Sequence, residues 1–244
     1  MGFWPFSKKA ATLEESGMLS GFIDWHSHIL PGVDDGFKTF DDSLAALREM
    51  ERHGVRKVWL TPHVMEDYPN ETSDLRSRFE ELKLSYDGPI ELKLASENML
   101  DNLFEERLRN NDFLPIGDNG RHLLVETSYF SAPMNMDALL QEVMKLGYYP
   151  VLAHPERYRY MDNARYKELH DMGVIFQSNY ISIVGGYGET ARKKLEWLLQ
   201  QKYVSLLGSD LHKLSALTHF LPLRPRKAEF MNLMAAVAAN PQLD

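Results

Sequence analysis

Seven short apolar segments alternate with amphipathic helical segments from about residue 22 onwards, and this alternation restricts the folds that the chain can adopt. Between the first two apolar segments, for example, Leu44, Leu47 and Met50 recur with a helical period and Gly54 follows as a stop signal. Strands that alternate with helices in this way run parallel and are joined by right-handed crossovers. The predicted strands are 22–26, 55–60, 90–95, 122–126, 149–154, 174–178 and 204–208.

Seven such units in about 200 residues favour an α/β barrel related to the (β/α)8 form but one strand shorter. An open doubly wound sheet is the alternative, but the glycine-rich loop of a nucleotide-binding sheet does not follow the first strand. No internal repeat, low-complexity run or linker interrupts the pattern. We therefore expect one domain over residues 21–244, preceded by an N-terminal extension over residues 1–20.

The extension contains an aromatic cluster, Phe3, Trp4 and Phe6, beside two lysines. We expect it to pack on the domain or to be disordered, and contact with a membrane surface or a partner is the alternative. The chain has no run of the roughly 20 apolar residues that a membrane helix requires, and its first residues do not resemble a signal peptide. A cytoplasmic protein without stable membrane insertion is therefore expected.

The chain contains no cysteine, and this excludes several kinds of active site. Disulfides, zinc fingers, iron–sulfur clusters and cysteine nucleophiles are ruled out. The absence of a cysteine nucleophile also excludes the cysteine-dependent phosphatases. A metal site would have to be built from His, Asp and Glu, a donor set that suits manganese, iron, zinc or magnesium. The formal net charge of −8 argues against nucleic acid as a partner.

Metal-ligating residue types follow six of the seven predicted strands. In parallel barrels the carboxyl ends of the strands meet at one rim, where active sites lie. A single His or carboxylate at a strand end is usually a cap or a solvated residue, but several of them at one rim predict a metal centre. The residues are His26, His28, His63, Glu97, Glu126, His154, Asp210 and His212.

The spacing of these residues supports the same interpretation. His26 and His28 lie two residues apart, and because side chains alternate along a strand, both imidazoles point to the same side. The Asp-x-His pattern at 210–212 repeats that spacing after the seventh strand. The Asp-Asp-Gly sequence at 34–36 is typical of a turn, but the turn would lie over the rim. Asp35, beside the flexible glycine, is therefore the better candidate for a ninth ligand.

Five histidines and four carboxylates suit three metal ions better than one. Four carboxylates would leave three divalent ions with two positive charges, which a phosphomonoester dianion would neutralise. A hydroxide that bridges the ions would be a strong nucleophile at neutral pH, because metal binding lowers the pKa of water towards about 7.

Four motifs resemble the PHP (polymerase and histidinol phosphatase) superfamily, and within it the manganese-dependent bacterial protein tyrosine phosphatases of capsule and exopolysaccharide operons. The motifs are the eleven residues 26–36, Thr61-Pro62-His63, residues 152–157 and residues 209–212. The resemblance runs from about Phe22 to about His219. It implies an α/β PHP fold, a distorted seven-stranded (β/α)7 barrel, that holds three divalent ions. Mn(II) is expected in these sites, with Fe or Zn as alternatives.

The resemblance also implies an activity and roles for individual residues. The implied reaction is attack of a metal-bridged hydroxide on phosphotyrosine in the tail of a bacterial tyrosine kinase that regulates polysaccharide synthesis. The first ion would be held by His26, His28, Glu97 and Asp210, the second by Glu97, Glu126 and His154, and the third by Asp35, His63 and His212, so that Glu97 bridges. Arg157 matches the arginine that contacts the substrate phosphate. Where the family commonly has a second arginine this chain has Leu217, so Lys213 or another arginine would replace it, or phosphate binding would be weaker.

Three other functions remain open at the level of sequence. A PHP phosphoesterase that acts on a small metabolite such as histidinol phosphate is the main alternative. An amidohydrolase also begins with His-x-His on its first strand, but that class often bridges its metals with a carbamylated lysine where this chain has Glu126. A non-catalytic metal-binding scaffold is the third, and the complete set of expected ligands argues against it.

Overall fold

The computed structural model describes residues 11–239, so the predicted behaviour of Phe3, Trp4 and Phe6 lies outside the described residues. The nine strands are β1 (Ile23–Ser27), β2 (Lys57–Leu60), β3 (His63–Val64), β4 (Glu91–Leu94), β5 (Glu97–Met99), β6 (His122–Glu126), β7 (Tyr149–Ala153), β8 (Ile175–Asn179) and β9 (Val204–Gly208). The eight α-helices are α1 (Phe40–Arg52), α2 (Thr72–Ser85), α3 (Asn102–Asn110), α4 (Met136–Lys145), α5 (Asn163–Met172), α6 (Gly188–Gln201), α7 (Leu214–Phe220) and α8 (Lys227–Ala239). Two 3-10 helices, Pro155–Arg157 and Tyr180–Val184, follow β7 and β8.

The strands form two parallel sheets, of order β1-β2-β4 and β3-β5-β6-β7-β8-β9. The predicted α/β class with parallel strands is therefore confirmed. The predicted count of seven strands differs from the structure, because the second and third predicted strands are each followed by a separate short strand, β3 and β5. Within residues 11–239 the two sheets do not join into one closed barrel.

The breaks after β2 and β4 have a local cause. Pro62, which has no amide hydrogen and so cannot donate to a ladder, separates β2 from β3. Ala95 still donates to Leu60, at 2.9 Å, but the next pairing moves to the other sheet. There, the carbonyl of Pro62 accepts from the amide of Glu97 at 3.0 Å, and His63 pairs with Glu97 in register. The break thus places two predicted metal ligands side by side.

The chain that follows β9 packs against the end of β1. The carbonyl of His26 accepts from the amide of Asp210 at 2.8 Å, and the amide of His28 donates to Leu211 at 3.1 Å. These bonds bring the His-x-His and Asp-x-His patterns together.

Several helices begin at side-chain caps, which fix where the chain leaves each strand-end loop. Thr39 accepts from the amide of Asp42 at 3.1 Å before α1, Asp101 from that of Phe104 at 3.0 Å before α3, and Asp162 caps α5 in the same way.

None of the helices within residues 11–239 combines the length and the apolar character needed to cross a bilayer.

Apolar side chains fill the space between the sheets and the space beneath the helices. Trp25 and Trp59 stack with ring centroids 5.8 Å apart, in a cluster that also contains Leu124, Val151 and Leu206. Because these side chains pack the interior below the strand ends, the polar groups at the strand ends lie on a close-packed apolar core.

Both ends of the described chain pack on the same core. Leu13 and Met18 are buried in one cluster with Leu233 of α8, and the amide of Leu13 donates to the carbonyl of Leu223 at 3.1 Å. A buried ion pair between Arg192 of α6 and Glu229 of α8 attaches the last helix.

The close approach of β9 to β1 predicts that Gly208→Ala is destabilising. An added Cβ would lie 2.6 Å from the Cβ of His26 and 2.8 Å from Nε2 of Gln177, so that one strand would have to shift. We expect a loss of about 1–3 kcal/mol in the free energy of unfolding, as for overpacked cores. Urea denaturation of chelator-treated protein would measure it, with the exposed Ser205→Ala of the same strand as the control. Equal stability of the two variants would show that the strands are not in tight contact.

Candidate metal centre

The structure brings all nine predicted ligands to one end of the sheets. Their donor atoms form four overlapping groups in which every atom lies within 4.8 Å of the others. The groups are His28, Asp35, His63 and His212; His26, His28 and Asp210; His26, Glu97 and His154; and His63, Glu97 and Glu126. All of these residues except Asp35 and His212 are buried.

The first predicted ion has four donor atoms that surround a common space. Nε2 of His26 lies 3.1 Å from Nε2 of His28, and each of these nitrogens lies 3.2 Å from Oε2 of Glu97. Oδ1 of Asp210 lies 3.7 Å from the first nitrogen and 3.4 Å from the second. Separations of 3 to 4 Å are those of ligands that share one ion at about 2 Å.

Glu97 connects the ligand set of the first predicted ion with that of the second. Its other oxygen, Oε1, lies 2.8 Å from Nε2 of His154, which is itself 3.7 Å from Oε2 of Glu126. The carboxylate therefore presents one oxygen to each group, which is the geometry that a bridging ligand needs.

The ligand set of the third predicted ion contains Asp35, His63 and His212. Oδ1 of Asp35 lies 3.4 Å from Nε2 of His63 and 3.3 Å from Nε2 of His212. His63 also turns its Nδ1 towards the second group, 2.9 Å from Oε1 of Glu126 and 3.1 Å from Oε2 of Glu97. The resemblance assigned His63 to the third ion alone, whereas the geometry places it between two groups.

Outer hydrogen bonds fix the orientation of three histidines. Nδ1 of His26 donates to Oε1 of Gln177 at 2.7 Å, Nδ1 of His28 to Oδ2 of Asp34 at 2.8 Å, and Nδ1 of His212 to the carbonyl of Asp210 at 2.9 Å. Each leaves Nε2 free to face the centre, which is the usual arrangement of metal-binding histidines.

Two of these outer partners were not predicted from the sequence. The sequence favoured Asp35 over Asp34 as a metal ligand and gave Asp34 no role as an outer partner, yet Asp34 also accepts from the amides of His63, at 3.0 Å, and Gly36, at 2.9 Å. Gln177 was placed inside a strand, and its polar side chain in an otherwise apolar segment was the signal that could have identified it.

The buried charges at the centre depend on one another. Burial acts to raise the pKa of Glu97, but His26, His63 and His154 hold that pKa well below its ordinary value. Burial acts to lower the pKa of His63, but the nearby carboxylates, Glu97 foremost, outweigh it and raise the pKa to about 10. The site thus favours anionic carboxylates and demands positive charge beside them.

Several buried atoms at the centre make no hydrogen bond with any residue in 11–239. They are Oε2 of Glu97, Oε1 of Glu126, Oδ1 of Asp210 and Nδ1 of His63, and all of them face the inside of the cluster. A buried acceptor without a partner is destabilising, and such groups are rare in proteins. Divalent ions would satisfy the three carboxylate oxygens, so the residues present fit a metal centre.

Two of the predicted ligands have backbone angles in the left-handed region. His154 has a φ of 33° and Asp210 a φ of 52°, which residues with a Cβ rarely adopt. Such conformations occur where the surroundings enforce them, typically at functional sites.

A cavity of about 680 Å³ opens beside the cluster. Arg157 and Lys213, the two predicted phosphate-binding residues, both line it, whereas Leu217 is buried in the core and does not. Arg157 donates from Nη1 to Oδ2 of Asp210 at 2.6 Å. His219, which the sequence pattern gave no role, also lines this cavity.

Comparisons with known proteins agree with the geometry. A family model described as capsular polysaccharide synthesis, CpsB/CapC, matches residues 22–219. The tyrosine-protein phosphatase CpsB of Streptococcus agalactiae is 31% identical over 218 residues, which cover 82% of this chain and 86% of that protein. The tyrosine-protein phosphatase YwqE of Bacillus subtilis is 28% identical over 196 residues, or 78% and 77% of the two chains.

Solved structures show the same fold. The crystal structures of YwqE from Bacillus subtilis and CpsB from Streptococcus pneumoniae, described as metal-dependent tyrosine phosphatases, include a chain that superposes with a TM-score of 0.73 at 24% identity, covering 91% of this chain and 96% of the other. An amidohydrolase from Mycoplasma synoviae superposes with a TM-score of 0.53 at 13% identity, over 98% and 92% of the two chains. At these identities the superpositions establish fold alone.

The two-sided contacts of Glu97 predict that Glu97→Gln weakens metal binding more than a change to a single-ion ligand. An amide cannot donate two anionic oxygens to two ions. We expect the loss of affinity to exceed the roughly 10- to 100-fold loss that follows removal of an outer hydrogen-bond partner. Titration calorimetry with Mn²⁺ would measure it, with Glu142→Gln on the exposed face of α4 as the control. Mn²⁺ affinity and stoichiometry equal to those of the control would refute the bridging role.

Proposed function

Because the chain belongs to the CpsB/CapC family of capsular polysaccharide synthesis, we propose that it is a metal-dependent protein tyrosine phosphatase. The observation that carries this proposal is the joining of a nine-residue His/Asp/Glu cluster to a cavity that contains Arg157. The relatives that match most of the chain carry the same activity in their names.

The proposed metal ligands are the nine residues predicted from the sequence. His26, His28, Glu97 and Asp210 would hold one ion, Glu97, Glu126 and His154 a second, and Asp35, His63 and His212 a third. His63 could serve the second ion through Nδ1 instead of the third through Nε2, because a neutral imidazole has one donor nitrogen. When bound, divalent ions acidify water and neutralise the negative charge that builds up on a phosphoryl group.

The protein's own groups would orient the phosphate and the leaving group. The Arg157 guanidinium lies at the cavity wall and can donate two parallel hydrogen bonds to phosphate oxygens, which become stronger as charge accumulates there. Lys213, exposed on the same cavity, adds a second positive charge. Tyrosine leaves with a pKa of about 10, so protonation of the leaving group is a minor requirement. Charge stabilisation is therefore the main task of the site.

Three finer parts of the proposal come from the family resemblance. They are manganese as the native ion, the tail of a bacterial tyrosine kinase as the substrate, and the cytoplasm as the location. The cavity, at about 680 Å³, is large enough to admit a phosphorylated ring.

Removal of metal tests the proposal directly. We expect hydrolysis of a phosphotyrosine peptide to stop after dialysis against a chelator and to return with Mn²⁺, while histidinol phosphate is hydrolysed poorly. A thiol-alkylating reagent serves as the control and should have no effect, because the chain has no cysteine. Full activity in excess chelator would refute the metal centre, and a preference for histidinol phosphate would refute the proposed substrate.

The single arginine at the cavity predicts a strong effect of Arg157→Lys. An ammonium group retains the charge but loses the two-pronged donor geometry, so kcat should fall roughly ten-fold or more. Because Leu217 stands where the family commonly has a second arginine, no other guanidinium lines this cavity among the described residues. Steady-state kinetics would measure the change, with metal content determined in parallel. Unchanged kcat and KM with full metal content would show that Arg157 does not contact the phosphate.

A further inference from the structure

Two tyrosine rings enclose the guanidinium of Arg157. Its central carbon lies 4.2 Å from the ring centroid of Tyr129 and 4.1 Å from that of Tyr187. These residues follow three neighbouring strands, since Tyr129 comes after β6, Arg157 after β7 and Tyr187 after β8. All three line the cavity beside the metal cluster. Neither tyrosine was predicted from the sequence, because no motif there marks them.

Tyr187 has a second contact, which reaches the metal cluster. Its hydroxyl donates to Oδ2 of Asp210 at 2.9 Å, the oxygen that also accepts from Arg157 at 2.6 Å and from Nδ2 of Asn179 at 2.8 Å. Three donors on Oδ2 leave the other oxygen, Oδ1, to face His26 and His28. One carboxylate thus presents one oxygen to the metal cluster and the other to the arginine and its tyrosine neighbour.

The arrangement restricts the motion of Arg157. Its side chain is only 18% exposed, and a cation between two aromatic faces is held by electrostatic attraction on both sides. An unrestrained arginine would have to give up its rotamer freedom on binding phosphate, whereas this one is already ordered at the cavity wall. Within residues 11–239, Asp210 is the one acceptor of its guanidinium hydrogen bonds, so other N–H groups remain for a ligand.

We propose that Tyr129 and Tyr187 are positioning residues, an aromatic clamp that holds the Arg157 guanidinium ready for the substrate phosphate, and that Tyr187 also fixes Asp210 as a metal ligand. The proposal rests on the proposed function in one respect, the contact between Arg157 and phosphate. In a chain with Leu217 at the position of a second arginine, the clamp makes one guanidinium sufficient by ordering it in advance.

A double-mutant cycle tests the first half of the proposal. The variants are Tyr129→Leu, Arg157→Lys and the two combined, and the probes are inorganic phosphate, titrated by calorimetry into manganese-loaded protein, and a phosphotyrosine peptide in steady-state kinetics. If the clamp acts through the arginine, Tyr129→Leu lowers phosphate affinity and kcat/KM roughly five- to ten-fold alone, but less than two-fold in the Arg157→Lys background. An equal loss in both backgrounds would mean that the ring acts independently of Arg157 and would overturn the clamp.

The loop that carries Tyr129 offers a matched control. Phe130 is the next residue and lies 4.8 Å from the guanidinium carbon of Arg159, but it is exposed and does not line the cavity. Phe130→Leu removes a contact of the same type from the same loop and should leave phosphate affinity unchanged. A loss as large as that of Tyr129→Leu would attribute the effect to the loop and would overturn the proposal.

Two variants of Tyr187 test the second half. Tyr187→Phe keeps the ring against Arg157 but removes the hydroxyl from Asp210, so Mn²⁺ affinity in titration calorimetry should fall several-fold while phosphate affinity at saturating Mn²⁺ is retained. Tyr187→Leu should lower both affinities. Equal Mn²⁺ affinity in wild type and Tyr187→Phe would overturn the role towards Asp210, and so would an equal loss of phosphate affinity in the two variants.

The two binding measurements are independent of turnover. If the wild-type protein fails to hydrolyse the phosphotyrosine peptide but the phosphate cycle shows coupling between Tyr129 and Arg157, the proposed substrate is wrong and the clamp stands. If the peptide is hydrolysed and the cycle shows no coupling, the clamp is wrong and the proposed function stands.

Discussion

The buried carboxylate of Glu97 is the interaction on which the rest of the site depends. It is fully buried, it lies within 3.2 Å of nitrogen atoms from His26, His28, His63 and His154, and one of its oxygens makes no hydrogen bond among the described residues. A charge in that position is tolerated only where positive charge surrounds it. Protonated imidazoles can provide that charge, as the raised pKa values of His26, His28 and His63 indicate. Divalent ions coordinated through the same nitrogen lone pairs would provide two positive charges each. The electrostatics of the cluster therefore suit divalent cations.

The division of the strands into two sheets places a histidine beside this buried carboxylate. A continuous strand through Pro62 would carry His63 past the end of the three-stranded sheet, and a continuous strand through Ala95 and Ser96 would do the same for Glu97. Instead both segments restart as short strands that pair with each other, so that His63 lies directly opposite Glu97. The loss of a continuous barrel wall thus creates the contact between two predicted ligands that are 34 positions apart in sequence.

The sequence predicts much of this molecule because its strongest signals are local. Strand and helix alternation, the His-x-His pattern and the Asp-x-His pattern each depend on periodicity within a few residues, and the parallel topology then brings the strand ends together. The features that the sequence did not predict depend on contacts between separate loops. Asp34 differs from any turn aspartate only through its bonds to His28 and His63, and Tyr129 and Tyr187 differ from other half-buried tyrosines only because Arg157 lies between them. The two short strands were missed because two-residue and three-residue pairings leave no periodic pattern.

Asp210 connects the His/Asp/Glu cluster with the neighbouring cavity through a single side chain. Its Oδ1 faces the histidines of the cluster, and its Oδ2 accepts from Arg157 at the cavity wall. An ion bound at Oδ1 would draw electron density from the carboxylate and would weaken the hydrogen bond that Oδ2 accepts from Arg157. Thermodynamic linkage makes any such coupling reciprocal: if bound metal changes phosphate affinity by some factor, bound phosphate changes metal affinity by the same factor. If the metal ions and the phosphate bind as proposed, the shared carboxylate of Asp210 would therefore couple the two ligands.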